Sequence, residues 1–127
     1  MTDENADYQK ARSGQPLALE EREETGDGRR FSPSIGRNKD VVRAAFLRLM
    51  PEQGRVLEIA SGTGEHGAHM TDAAPALDWT YSDIDPISRA SQMAWRTHVN
   101  HDRLFGPLTI DTTDADWGEA ERDAPWD

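Results

Sequence analysis

Apolar residues recur at helical spacing in the segment Val41 to Met50. Val41, Val42, Ala45, Phe46 and Leu49 share one face, with Arg43 and Arg48 on the other, so a helix is expected there. Pro51 and Gly54 end it. The pattern then shortens to a strand-like run, Arg55 to Ile59, rich in Val, Leu and Ile. A glycine turn follows, and then a helix from about Glu65 to Ala73, stopped before Pro75. Asp78 to Ser82 predicts a second strand, with Trp79 and Tyr81 supplying β preference. Asp85-Pro86 reads as a helix start, Asp at the cap and Pro at the first helical position, where its missing N–H costs nothing. That helix is expected to run to about Val99 and to bury Ile87, Ala90, Ala94 and Trp95. Pro107 to Asp111 predicts a third strand, and Thr112 to Asp127 reads as acidic and turn-like.

Strand–helix–strand–helix–strand alternation implies an α/β fold with parallel strands joined by right-handed crossovers. Ligands of such sheets bind at the carboxyl ends of the strands. Glu58, Asp83 and Asp111 each fall at one of those ends, and their convergence carries more weight than any one of them.

Composition limits what this fold can be. A chain of 127 residues has room for one domain at most. Residues 1–28 hold eight acids and three bases, with few large apolar side chains, and are expected to form a disordered acidic tail. The net charge of −10 sits mainly at the two ends; residues 29–110 carry ten bases against nine acids. A broad nucleic-acid surface is therefore not expected, since phosphate neutralisation needs clustered bases. Arg29, Arg30, Arg37 and Lys39 form one small basic group, either solvated charges near a helix start or an anion site. There is no cysteine, hence no disulfide or thiolate chemistry. No run is apolar enough for a membrane span, and the acidic amino terminus is no secretory signal, so a cytoplasmic location is expected.

The chemistry concentrates in Arg55-Val-Leu-Glu-Ile-Ala-Ser-Gly-Thr-Gly-Glu-His-Gly67. Gly62 to Gly67 matches the G-x-G-x-x-G pattern of dinucleotide sites, and Asp83 follows at the spacing of a ribose-binding carboxylate. A dinucleotide strand, however, runs apolar into its first glycine, whereas here Glu58 precedes Gly62 by four residues. A carboxylate in that place is costly to bury unless it meets a cation or a donor. The ammonium of S-adenosylmethionine is such a cation, and that cofactor has no pyrophosphate to bring to the helix amino terminus.

The stretch Val56 to Gly64 resembles the cofactor motif of class I S-adenosylmethionine-dependent methyltransferases, an acid followed by a glycine-rich turn. Ser82 to Asp85 and Thr109 to Asp111 resemble the ends of that family's second and third strands. Ser32-Pro-Ser-Ile-Gly-Arg-Asn38 together with Glu58 to Gly64 is similar to a small methyltransferase-like subgroup of unknown substrate, over about residues 30 to 127. The resemblance implies a Rossmann-like fold in which this chain supplies the first three parallel strands with their helices, the cofactor-binding half spanning residues 29–127. It implies that Glu58 contacts the methionine end, that Gly62 and Gly64 line the cofactor by backbone, that Asp83 takes the ribose hydroxyls, and that Asp111 lies near the adenine. Arg37 and Asn38 would close over the site as a lid. Ala60 departs from the family, standing where most members have glycine.

Other residues read more plainly. Asp85 is a cap, Trp79 and Trp95 belong to the core, and His66 and His69 lack a third ligand, so no metal is expected. No general base is evident, and the methyl acceptor is not specified. In the family, Pro125-Trp-Asp127 would open a fourth strand beside the first, so the chain is expected to be a truncated product or partial gene model, or to be completed by a partner chain. The competing readings are a non-catalytic remnant or interaction fragment and an NAD-binding domain.

Overall fold

The computed structural model describes residues 23–24 and 26–127; most of the expected acidic tail lies outside the described residues. Strands β1 (Glu23–Glu24) and β2 (Arg30–Phe31) form a short antiparallel pair, which reaches into the stretch expected to be tail. There follow α1 (Pro33–Leu49), β3 (Gln53–Leu57), α2 (Glu65–Ala73), β4 (Ala76–Ser82), α3 (Pro86–His98), β5 (Leu104–Leu108) and α4 (Glu119–Arg122). The three longer strands form one parallel sheet in the order β3-β4-β5, with β4 in the middle. The α/β alternation expected from the sequence is therefore present, and the sheet is compatible with a Rossmann-like fold.

Helix α1 begins much earlier than the expected start after Asp40. Pro33 and Gly36 read as loop residues, yet Ser32 is extended, Pro33 occupies the first turn, and the Gly36 N–H closes on the Ser32 carbonyl at 3.0 Å. Its apolar face is also less buried than expected. Phe46 packs on Trp79 with ring centroids 5.6 Å apart, but Val41 and Leu49 stay more than 70% exposed (72% and 73%).

The core lies between the sheet and α2 and α3. Ala68, Met70, Trp79, Tyr81 and Leu104 form its centre, with Phe46, Val56, Trp95 and Val99 around them. Gly67 sets the closeness of α2 to β4: a Cβ there would stand 2.6 Å from a Tyr81 ring atom and 2.7 Å from Trp79 Nε1. The third glycine of the motif thus serves helix–strand packing.

Two strand boundaries differ from expectation. β3 ends at Leu57 because Ala60 adopts φ 53°, which no strand can accommodate, and Ile59 goes with the turn. β5 covers Leu104–Leu108 rather than Pro107–Asp111. Gly106 and Pro107 sit at a register shift opposite Thr80 to Ser82, so the missing proline N–H falls where the ladder is already irregular. The expected stripe of α3 is corrected as well: its buried residues are Ser88, Ser91 and Gln92, while Ala90 is exposed. The acidic end is not all turn, since α4 forms there and residues 123–127 seat on β3. Arg55 organises them, donating to the Asp123 carbonyl (2.6 Å) and the Pro125 carbonyl (3.1 Å) and stacking on Trp126 (4.4 Å). The Asp127 N–H in turn donates to the Arg55 carbonyl at 2.8 Å. Among the described residues no helix is long and apolar enough to cross a membrane.

Candidate ligand site at the strand ends

Parallel strands β3 and β4 end side by side, and the segments that leave them build one surface. Glu58 directly follows β3 and keeps its place on the ladder, its N–H donating to the Thr80 carbonyl at 3.0 Å. The chain then turns through Ala60 (φ 53°), Gly62 (φ 62°) and Gly64 (φ 94°), three left-handed residues in alternation. Two of them are glycines because that region penalises a Cβ. Ala60 bears the penalty, and glycine would suit its place.

Serine side chains close the turn onto β4. The Ser61 N–H donates to the Ser82 carbonyl (2.8 Å), and the Ser82 N–H donates to Ser61 Oγ (3.0 Å). Both hydroxyls donate to the Glu58 carbonyl, Ser82 Oγ at 2.5 Å and Ser61 Oγ at 3.3 Å.

Asp83 joins this turn to the next one. Its Oδ2 accepts the Gly62 N–H at 2.9 Å and its Oδ1 accepts the Asp85 N–H at 3.0 Å. Each oxygen retains a lone pair, so the carboxylate can brace the two loops and still accept hydroxyl donors. Asp85 caps α3 as expected, accepting the Ile87 N–H (3.2 Å) and the Ser88 hydroxyl (2.9 Å).

The Glu58 carboxyl is the electrostatic anomaly. It accepts one hydrogen bond from Trp79 Nε1 at 3.1 Å, and no salt bridge reaches it among the described residues. Burial pushes it from 4.5 up to about 7, reinforced by the nearby Asp83 charge and against the pull of the neighbouring Ser61 hydroxyl and the bond from Trp79. An acid held in that state is a ready partner for a ligand cation. Gly62 meanwhile faces open space, since a Cβ added to it would meet nothing within 4 Å. A carboxyl short of a cation, an open glycine and a carboxylate with acceptor capacity fit a ligand bearing both an ammonium and hydroxyls.

The structure thus brings Glu58, Gly62, Gly64 and Asp83 together. Asp111 follows the end of β5 by three residues, and its Oδ1 accepts the Thr113 N–H (2.9 Å) and hydroxyl (2.6 Å), which holds its pKa below the ordinary value; among the described residues no hydrogen bond links it to Glu58, Gly62, Gly64 or Asp83. Arg37 and Asn38 stand exposed within α1, and among the described residues no hydrogen bond or ion pair links them to the strand-end acids. His69 pairs with Asp40 at 2.9 Å. A cavity of about 460 Å³ lined by Lys39, Glu65, His69, Trp95, His98 and Arg103 includes none of Glu58, Gly62 or Asp83 in its walls.

Residues 29–127 match the family described as "Protein of unknown function (DUF938)", which covers every element from β2 onward. The chain belongs to the DUF938 family. The matched region of this DUF938 protein contains all the strand-end residues and the helix that packs beneath them. Sequence reasoning missed that lower layer. Tyr81, Ser91 and Gln92 are all fully buried against the glycine turn, and the available signal was the polar i, i+3, i+4 spacing of Ser88, Ser91 and Gln92 on α3.

Proposed function

We propose that this DUF938 chain binds S-adenosylmethionine at the carboxyl ends of β3 and β4 and forms the cofactor-binding part of a class I methyltransferase. The observation that carries the reading is the convergence of Glu58 and Asp83 beside the glycine turn, with Glu58 half-buried and meeting no cation among the described residues. Glu58 would hold the ammonium of the methionine end, and Asp83 the ribose hydroxyls, while Gly62 lets backbone come close to the ligand. When bound, S-adenosylmethionine supplies an electrophilic methyl group on a sulfonium. The residues of this chain then orient it for an incoming nucleophile, which is where much of the rate of such a transfer arises. No side chain here is assigned as a general base.

Calorimetric titration with S-adenosylhomocysteine tests the reading, because this demethylated product keeps the ammonium and the ribose. Binding is expected, and Glu58→Gln and Asp83→Asn should each weaken it by about tenfold or more. Binding of NADH with none of S-adenosylhomocysteine would replace the methyltransferase reading with a dinucleotide one.

A further inference from the structure

We infer that Gln92, supported by Ser91 and Tyr81, is a positioning residue that holds the glycine turn in its ligand-binding shape; the inference rests on the cofactor reading above. Three successive carbonyls of the turn point inward, each onto a different side chain. Gly62 O accepts from Gln92 Nε2 at 2.8 Å, Thr63 O from Ser91 Oγ at 2.6 Å, and Gly64 O from Tyr81 Oη at 2.6 Å. All three side chains are completely buried, each with 0% of its surface exposed.

A turn with glycines at Gly62 and Gly64 has many backbone conformations open to it. Pinning its carbonyls to α3 and β4 selects one of them. The Gly62 carbonyl is held by Gln92 and its N–H by Asp83, so the peptide groups on both sides of its Cα are anchored, and the Cα is left facing open space. The close approach of α3 depends on Gly64, where a Cβ would lie 3.3 Å from Gln92 Cα and 3.1 Å from Trp95 Cδ1. Ser91 extends the brace, since its Oγ also accepts the Arg30 N–H at 2.9 Å.

Gln92 is the informative member because it is imperfectly satisfied. Its Oε1 is buried with no hydrogen-bond partner among the described residues. An orphaned acceptor costs stability, and an apolar side chain of the same length would carry no such cost. What the apolar residue would lack is the donor to Gly62 O. The amide therefore holds the turn through Nε2 while leaving Oε1 unpaired.

The test compares Gln92→Met and Gln92→Glu with the unaltered chain. Gln92→Met relieves the orphaned Oε1 but strips Gly62 O of its donor, so the two effects on Tm oppose each other and the net change should be small. S-adenosylhomocysteine should bind about tenfold more weakly, the effect of one lost orienting hydrogen bond. Gln92→Glu supplies a rescue that depends on pH. A protonated carboxyl can donate to Gly62 O, whereas a carboxylate cannot. Its affinity relative to the unaltered chain should therefore recover near about pH 5.5 and fall about tenfold by about pH 8.5. Taking the ratio at each pH cancels the titration of Glu58. Unchanged affinity in Gln92→Met overturns the inference, as does a loss that tracks Tm and is the same for Gln92→Glu at both pH values. If the unaltered chain binds no S-adenosylhomocysteine, the cofactor reading falls and amide exchange decides the positioning role. Exchange about tenfold faster at Gly62 and Gly64 in Gln92→Met supports it, and unchanged exchange refutes it.

Discussion

Replacing Glu58 by Gln separates the stability of this fold from its chemistry. The carboxyl rises from 4.5 to about 7 on folding, chiefly through burial. Such a change makes the charged form costlier in the fold by about 3 kcal/mol. Glu58 keeps some contact with solvent, which lowers the expected effect to about 2 kcal/mol. The sign follows from proton uptake. Between pH 4.5 and about 7 the folded chain holds a proton at Glu58 that the unfolded chain has released, so this group's contribution falls as pH rises through that window. Glutamine does not titrate and can still accept from Trp79 Nε1. Glu58→Gln should thus be close to neutral at about pH 4.5 and more stable than the parent by about 2 kcal/mol at about pH 8, or about 10 °C in Tm. Thermal or urea unfolding of both proteins across that range provides the measurement, and the difference between them removes every other titrating group. Ligand binding should move the opposite way. A cation needs the charged form of Glu58, so the parent's affinity for S-adenosylhomocysteine should decline below about pH 7, and that decline should vanish in Glu58→Gln. Parallel pH profiles of stability for the two proteins would refute the reasoning.

Ala60→Gly removes a Cβ from a residue at φ 53°; the relief of about 1–2 kcal/mol outweighs the added entropy of the unfolded chain, so Tm should rise by a few degrees. A fall in Tm on thermal unfolding would contradict it. Gly67→Ala should destabilise by about 2–3 kcal/mol, because its Cβ would press on Tyr81 and Trp79 in the core; urea unfolding measures this, and a neutral result would show that α2 can shift without cost. Asp85→Ala loses the cap of α3 and should cost about 1 kcal/mol in the same assay, while the backbone N–H that braces Asp83 remains.

What was legible in this sequence is what a residue decides with its near neighbours. Asp85-Pro86 starts a helix through its own side chain and ring, and Gly62 and Gly64 turn the chain through their own φ values, so both were read where they occur. The early start of α1 was hidden because Pro33 and Gly36 carry loop signals, although proline also suits a first helical turn, and Ser32 makes no side-chain cap there. The bounds of β5 were misread for a related reason: the strand stops at Leu108 rather than Asp111, and that depends on the register shift at Gly106 and Pro107 against β4. The polar face of α3 was the deepest omission. Hydrophobic periodicity assumes that a buried helix face meets apolar side chains, yet Ser91 and Gln92 meet the carbonyls of Thr63 and Gly62, which require donors. A turn that keeps its backbone open to a ligand must satisfy its carbonyls on the other side. The polar stripe of α3 is therefore the structural complement of the glycines, and the two together, rather than the glycines alone, define this candidate site.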